Sequence, residues 1–254
     1  MEINTKIISF TNQKGGVGKT SIAYHLAGVL ITEFDRRVLV IDLDSQANLT
    51  DSFKIDNFEC SSYDLVTNGD VNLQDMIIKT HIKGLDLVPA NVKLANIDLD
   101  IADKKKRLEL LDRKIDKQQL NYDYIFIDCP PNLSLLTNNS LVASDSLLIP
   151  LKIGLYSLRG LSKLTDTYKI IKKRYNKDLE IEGVVLNQVD RRTNYEDFEE
   201  KLRAKLGDNI FNTIIGQSIK VSRAQFERLP VTLFKPRSKT AKEFISLAQE
   251  VMEL

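Results

Sequence analysis

Residues 12–20 read Asn-Gln-Lys-Gly-Gly-Val-Gly-Lys-Thr, with glycines set between two lysines and a hydroxyl at the end. Glycine-rich backbone can turn tightly enough to aim several N–H groups at one anion. A helix starting where the run ends would direct its positive end at the same point. This is phosphate-binding chemistry, with Lys19 as a point charge on the β- and γ-phosphates and the Thr20 hydroxyl on Mg²⁺. Lys14, Gly15, Gly16, Val17, Gly18 and Ser21 complete the candidate nucleotide-binding set. The pattern G-x-x-x-x-G-K-[ST] fails at its first glycine, where Gln13 stands.

Acidic residues close two later apolar runs. Val38–Asp44 reads Val-Leu-Val-Ile-Asp-Leu-Asp. The two-residue period of a strand puts Asp42 and Asp44 on one face, where both can point at the phosphates. Tyr124–Asp128 is apolar up to Asp128. That pattern predicts an acid that holds Mg²⁺ indirectly, through water and Thr20. Phosphoryl transfer needs positioning and charge neutralisation rather than covalent catalysis. Lys14, Lys19, Mg²⁺ and Asp44 would supply these. No glutamine or arginine finger stands out.

These residues need strand ends to hold them. Apolar runs of strand length lie at residues 6–11, 37–43, 85–89, 124–128, 146–151 and 182–189. They lack strict alternation, which predicts a sheet buried on both faces and therefore mostly parallel. Helical spacing lies between and after them, at 19–34, 101–120, 132–143, 157–175, 195–206 and 239–252. Strand–helix alternation predicts an α/β fold, a doubly wound, mostly parallel sheet flanked by helices. No linker of Pro, Gly and Ser divides the chain, so one domain over 1–254 is expected. Residues 51–83 read as helices and loops at the sheet edge.

The bulk composition narrows the function classes. Lys plus Arg number 36 and Asp plus Glu 35, which excludes a uniformly basic binder but not a local basic patch. Cys60 and Cys129 form no CxxC or Cys/His cluster, so zinc and iron–sulfur chemistry is disfavoured and free thiols are expected. The segment Met1–Phe10 lacks the basic and apolar regions of a secretory signal, and no run is long enough to span a bilayer. A cytoplasmic protein is expected.

The run Lys14–Thr20, K-G-G-V-G-K-T, resembles the deviant Walker A motif of the ParA/MinD family of ATPases. Within it, nearly the whole chain resembles the ParA/Soj-type partition ATPases, least between Phe53 and Lys83. The resemblance implies that Lys14 reaches across an ATP-dependent sandwich dimer to the partner's phosphates. Residues 42–48, D-L-D-S-Q-A-N, resemble the family's D-x-D-P-Q-G-N, with Ser45 and Ala47 in place of Pro and Gly. By that match Asp44 orients or activates the attacking water and Asp42 supports the Mg²⁺ shell. Asp128-Cys129-Pro130-Pro131 resembles the family's D-x-P-P. Residues 183–193 and 215–224 resemble its sixth core strand and its I-P-R-N-V-R-L-S-E-A segment. This makes Asn187 a candidate base contact and Pro230 a pocket-lining proline.

Two functions of different class follow from the family. One is partition of a plasmid or chromosome: the ATP dimer binds DNA non-specifically and leaves it when a ParB-like centromere-binding protein stimulates hydrolysis. The other is a MinD-like division regulator bound to membrane. Residues 240–254 carry one Lys against three Glu, unlike a basic lipid-binding segment, so no membrane partner is expected. Arg191, Arg192, Lys220, Arg223, Lys235, Arg237 and Lys239 gather in the C-terminal part. Arg192 and Lys220 match DNA-binding positions of ParA-like proteins, and Arg223 adds charge where the family often has Glu. The DNA expectation rests on this group, driven by phosphate contacts and counterion release. Too few residues precede the first strand for a helix-turn-helix, so site-specific autorepression is not expected.

Overall fold

A computed structural model describes residues 5–253, apart from 56, 116, 118, 119, 155, 156, 191, 193, 194 and 208. Its strands are β1 (Lys6–Phe10), β2 (Val38–Asp42), β3 (Ile78–Lys79), β4 (Leu85–Val88), β5 (Tyr124–Asp128), β6 (Ser146–Leu151), β7 (Glu180–Val189) and β8 (Ile210–Gly216). They form one sheet in the order β3-β4-β2-β5-β1-β6-β7-β8, parallel except where β3 runs against β4. The first helices are α1 (Lys19–Phe34), α2 (Asn48–Asp51), α3 (Ser62–Thr67), α4 (Ile97–Asp100) and α5 (Leu135–Ala143). The remainder are α6 (Ser157–Arg174), α7 (Glu196–Leu206), α8 (Ile219–Phe226), α9 (Val231–Phe234) and α10 (Lys239–Glu253). The expected doubly wound α/β architecture is the one observed.

Alternate strand residues feed opposite layers, as the pleat requires. Ile8, Phe10, Val38, Val40 and Phe126 pack beneath α1, α9 and α10. Ile7, Leu39, Ile41, Ile125 and Ile127 pack on the other face with α3, α4 and α5, and Leu147, Ile149, Val184 and Leu186 with α5, α6 and α7. Both faces are covered, which is why the strand sequences read as continuous apolar runs. Helix α1 is buried from Ile22 to Leu30 because α9 and α10 close over its outer side. Its Gly28 is required by that approach: a Cβ there would stand 2.1 Å from the Cβ of Pro230.

The helix expected over 101–120 is absent. The described part of that segment is turns and a short 3₁₀ turn at Asp112–Lys114, with Lys106 at φ 56°. Its periodic apolar residues Ile101 and Leu111 are indeed buried, but as loop anchors. Asn139 on α5 does the work of a helical ladder: its Oδ1 accepts from the N–H of Leu110 (2.9 Å) and Leu111 (3.2 Å), and its Nδ2 donates to Arg107 O (2.7 Å). Two edge strands were also not foreseen. β3 is two residues long, and β8 breaks its apolar run with the exposed Asn212 and the half-buried Thr213.

Candidate nucleotide site

Register builds the site. β5 lies between β1 and β2, and Asp128 is the register partner of both Phe10 and Asp42. The glycine loop therefore leaves β1 directly beside two acidic strand ends. This is the carboxyl edge of a parallel sheet next to the strand where the winding reverses, the place where ligands bind in such folds.

The loop is braced from below. Asn12 Nδ2 donates to Pro150 O at 2.8 Å, and Asn12 Oδ1 accepts from Lys14 N at 3.0 Å. Asn187 Nδ2 donates to Val17 O at 2.8 Å, and Gln188 Nε2 to Gly16 O at 3.3 Å. Gly18 has φ 90°, and a Cβ on it would meet Asn187 Nδ2 at 2.2 Å, so both conformation and space demand glycine. Gly18 is also the N-cap of α1. It supplies no side-chain cap, and the first turn contains no acid. The positive helix end and its free N–H groups are thus left for an anion.

Thr20 Oγ1 donates to Asp128 Oδ2 at 2.6 Å. Asp128 Oδ1 is buried with no hydrogen-bond partner among the described residues. Burial and the neighbouring Asp42 push the Asp128 carboxyl well above the usual carboxylate range, and burial pushes Asp42 up too. An unpartnered hard oxygen, a hydroxyl and two acids with excess proton affinity suit a divalent cation such as Mg²⁺. Asp42 has a second duty. Its Oδ1 accepts from Asp44 N (3.0 Å), and its Oδ2 from Thr50 N (2.9 Å) and Thr50 Oγ1 (2.8 Å). It therefore fixes the loop that carries Asp44, which is largely buried and accepts from Gln46 N at 3.1 Å.

A cleft of about 590 Å³ opens over these groups, lined by Gly15, Gly16, Gly18, Lys19, Thr20, Ser21, Asp44, Pro131, Gln188, Gln225 and Phe226, among others. Lys19 is buried in it. Val17 is buried beneath the loop. Lys14 is exposed and lies outside the cleft; a Cβ on Gly154 would stand 3.7 Å from its Nζ. Asn187, expected beside a base, uses its amide to clamp Val17. Pro230, expected at the pocket, is instead buried against α1 at Gly28, because α9 follows it immediately and packs there. Asn12, Thr50, Gln188, Gln225 and Phe226 were missed; only their proximity to motif strand ends could have flagged the first three.

A second hollow, about 450 Å³, is lined by Arg192, Lys220 and Lys239 with Asp190 and Glu243. The Arg192 guanidinium forks onto Asp190, at 2.9 and 2.7 Å, and holds that carboxyl down at about 2. Arg223 is exposed on α8 and is not part of this hollow. Arg191 lies outside the described residues.

Residues 5–181 match the family model described as AAA domain. The chain is 39% identical to the sporulation initiation inhibitor protein Soj of Bacillus subtilis, over 97% of this chain and 98% of Soj. It is 36% identical to the chromosome partitioning protein ParA of Myxococcus xanthus, over 98% and 88%. The fold superimposes on cobyrinic acid a,c-diamide synthase of Mycobacterium smegmatis, with bound ATP analog and magnesium, at a TM-score of 0.84 and 28% identity, covering 98% of this chain and 94% of that one. The glycine loop on β1, the paired acids beside it and these full-length likenesses agree: the chain belongs to the AAA-domain family, among its ParA/Soj-type partition proteins.

Proposed function

We propose that this protein is a ParA-like partition ATPase. It binds ATP with Mg²⁺, closes into a sandwich dimer, holds DNA non-specifically as that dimer, and leaves DNA when a ParB-like partner stimulates hydrolysis to ADP and phosphate. The observation that carries the reading is the separation of two lysines: Lys19 is buried in its own cleft, while Lys14 stands exposed outside it. Two triphosphates brought face to face repel strongly unless cations bridge them. Lys14 of each copy is free to serve the other copy's phosphates.

Thr20 and Asp128, with Asp42 behind them, would hold Mg²⁺, which when bound supplies charge neutralisation on the phosphate oxygens. Lys19 and the first-turn N–H groups of α1 orient the triphosphate. Asp44, kept in place by Asp42, orients the attacking water. DNA is held by Arg192, Lys220 and Arg223, which supports work on the nucleoid in the cytoplasm. A membrane role is disfavoured by α10, whose apolar stripe of Ala241, Phe244, Leu247, Ala248 and Val251 is buried in the core.

Sedimentation of Asp44→Ala with saturating ATP and Mg²⁺, alone, with duplex DNA and with anionic vesicles, tests the reading. We expect a dimer that travels with DNA and ignores vesicles. A chain that stays monomeric under all three conditions would sink it.

A further inference from the structure

Seven of the chain's 36 Lys and Arg fall between residues 159 and 177, against one acid, Asp166, in a chain whose net charge is only +1. Most of that stretch is α6. Its inner face is apolar, with Leu161, Leu164 and Ile171 buried against the sheet. Arg159, Lys163, Lys169, Lys173 and Arg174 are exposed. At 3.6 residues per turn they share an arc of about 140° on the outer side, along a helix about 27 Å long. Lys177, also exposed, continues the row past the helix end. Cations in a last turn complement the helix dipole, but Arg159 in the first turn and Lys163 and Lys169 beyond it have no such role. Glu180 is taken up by Lys172, at 2.5 Å, and the six exposed cations pair with no acid among the described residues.

The row has a definite place in the fold. Helix α6 leaves the carboxyl edge of the sheet after β6 and returns to the amino edge before β7, where Glu180 is the register partner of Ser146. Asn176 pins that return: its Nδ2 donates to Leu141 O, Val142 O and Ser144 O at 3.1, 3.0 and 2.7 Å. The end of the row therefore lies at the edge opposite the nucleotide cleft. The hollow of Arg192 and Lys220 includes Val189 and Gly216, the last residues of β7 and β8, and so lies at the other edge.

We propose that the outer face of α6 is a second surface for the DNA backbone, separate from the Arg192 group, so that one chain holds two segments of duplex. This rests on the DNA reading above and not on the nucleotide site. A duplex offers one phosphate charge per about 1.7 Å of its axis, which suits a long convex row of cations. A protein partner would need an apolar centre, where Lys is depleted. Lipid would need a broad apolar face, but that of α6 is turned into the core, leaving Ile170 and Tyr175 as the exposed large apolar side chains near its end.

The test is fluorescence anisotropy of a labelled random duplex, with ATP and Mg²⁺, over a series of salt concentrations. It compares wild-type protein, the triple variant Lys169→Gln, Lys173→Gln, Arg174→Gln, the control Lys169→Arg, Lys173→Arg, and single Lys173→Gln in case the triple variant folds poorly. We expect the triple variant to bind more weakly, with a log–log salt slope shallower by about 2.7, at about 0.9 per phosphate contact, and the single variant to lose about 0.9. The arginine control should keep the wild-type slope. Beads carrying one duplex should capture a second, labelled duplex through wild-type protein but not through the triple variant. A wild-type slope or undiminished capture in the triple variant, or wild-type protein that binds polyglutamate or anionic vesicles through these residues as tightly as duplex, would overturn the inference while leaving the DNA reading intact. Wild-type protein that binds no duplex would overturn both.

Discussion

Asp42 and Asp128 end adjacent parallel strands at matched register, so that two buried carboxyls lie side by side beneath Lys19 and Thr20. Burial raises the proton affinity of both, and the Asp42 charge raises that of Asp128 further. Without a cation this arrangement costs stability. Asp128→Asn keeps the shape and removes one charge. It should raise the melting temperature of the ligand-free protein at pH 7.5 by roughly 3 °C or more, at about 2–4 °C per kcal/mol for a chain of this size. The same variant should lose the extra thermal shift that Mg²⁺ adds to ATP. Scanning calorimetry reads both, and an unaltered or lowered melting temperature would remove the claim of repulsion.

His25 is a buried group whose titration opposes folding in acid. It is fully buried, and Nδ1 accepts from Val231 N at 3.2 Å, while burial lowers its pKa to about 3. The unfolded chain takes up a proton below about pH 6.5, while the folded chain does so only near 3. The favourable contribution is complete above pH 6.5 and is lost as pH falls through that window, at up to about 1.4 kcal/mol per pH unit. His25→Gln should flatten the acid limb of a stability–pH profile measured by urea unfolding. A variant with the wild-type slope would mean that other groups dominate.

The two lysines should separate binding from assembly. Lys19→Ala should abolish ATP binding by calorimetry. Lys14→Ala should retain most of it and fail to dimerise in sedimentation. Loss of ATP binding in both would mean that Lys14 serves its own chain's phosphates.

Ala47 occupies a left-handed conformation, φ 53°, three residues after Asp44. An L-residue with a Cβ pays about 1–2 kcal/mol there, part of which glycine recovers while losing more unfolded-state entropy. Ala47→Gly should stabilise the protein by about 0.5 kcal/mol in chemical unfolding. Destabilisation would show that the Ala47 methyl, packed on the apolar cluster around Ile41 and Leu43, matters more than backbone strain.

If Arg192 holds DNA as proposed, Asp190 would compete for it. Asp190→Asn should tighten binding to random duplex, because it frees the guanidinium from its fork. Reversing charge at Arg192 and Lys220 together should weaken binding and make the plot of log affinity against log salt shallower by roughly two units. An unchanged salt slope would return these side chains to the solvated surface.

The parts of the site legible in the sequence were those fixed by local chemistry. Gly18 must be glycine, Lys19 and Thr20 must follow it, and Asp42 and Asp128 must end apolar strands; strand register then brings them together without further instruction. What stayed illegible depends on tertiary partners. That Asn187 also clamps Val17 shows only once β7 is laid beside the glycine loop. Pro230 looks like a pocket wall until Gly28 is seen to admit it. The 101–120 segment has helical spacing, but its amides find Asn139 instead of one another, and no sequence period records that exchange.

The uncapped start of α1 has one more consequence. A helix end that waits for an anion makes the ligand a missing piece of the fold, so occupancy and folding are linked. At a nucleotide concentration 100 times the dissociation constant this linkage is worth about 2.7 kcal/mol. Under the reading proposed here, the survival of this chain against cellular proteases would follow the triphosphate supply of the cell, and starvation would thin its population before any change in its synthesis.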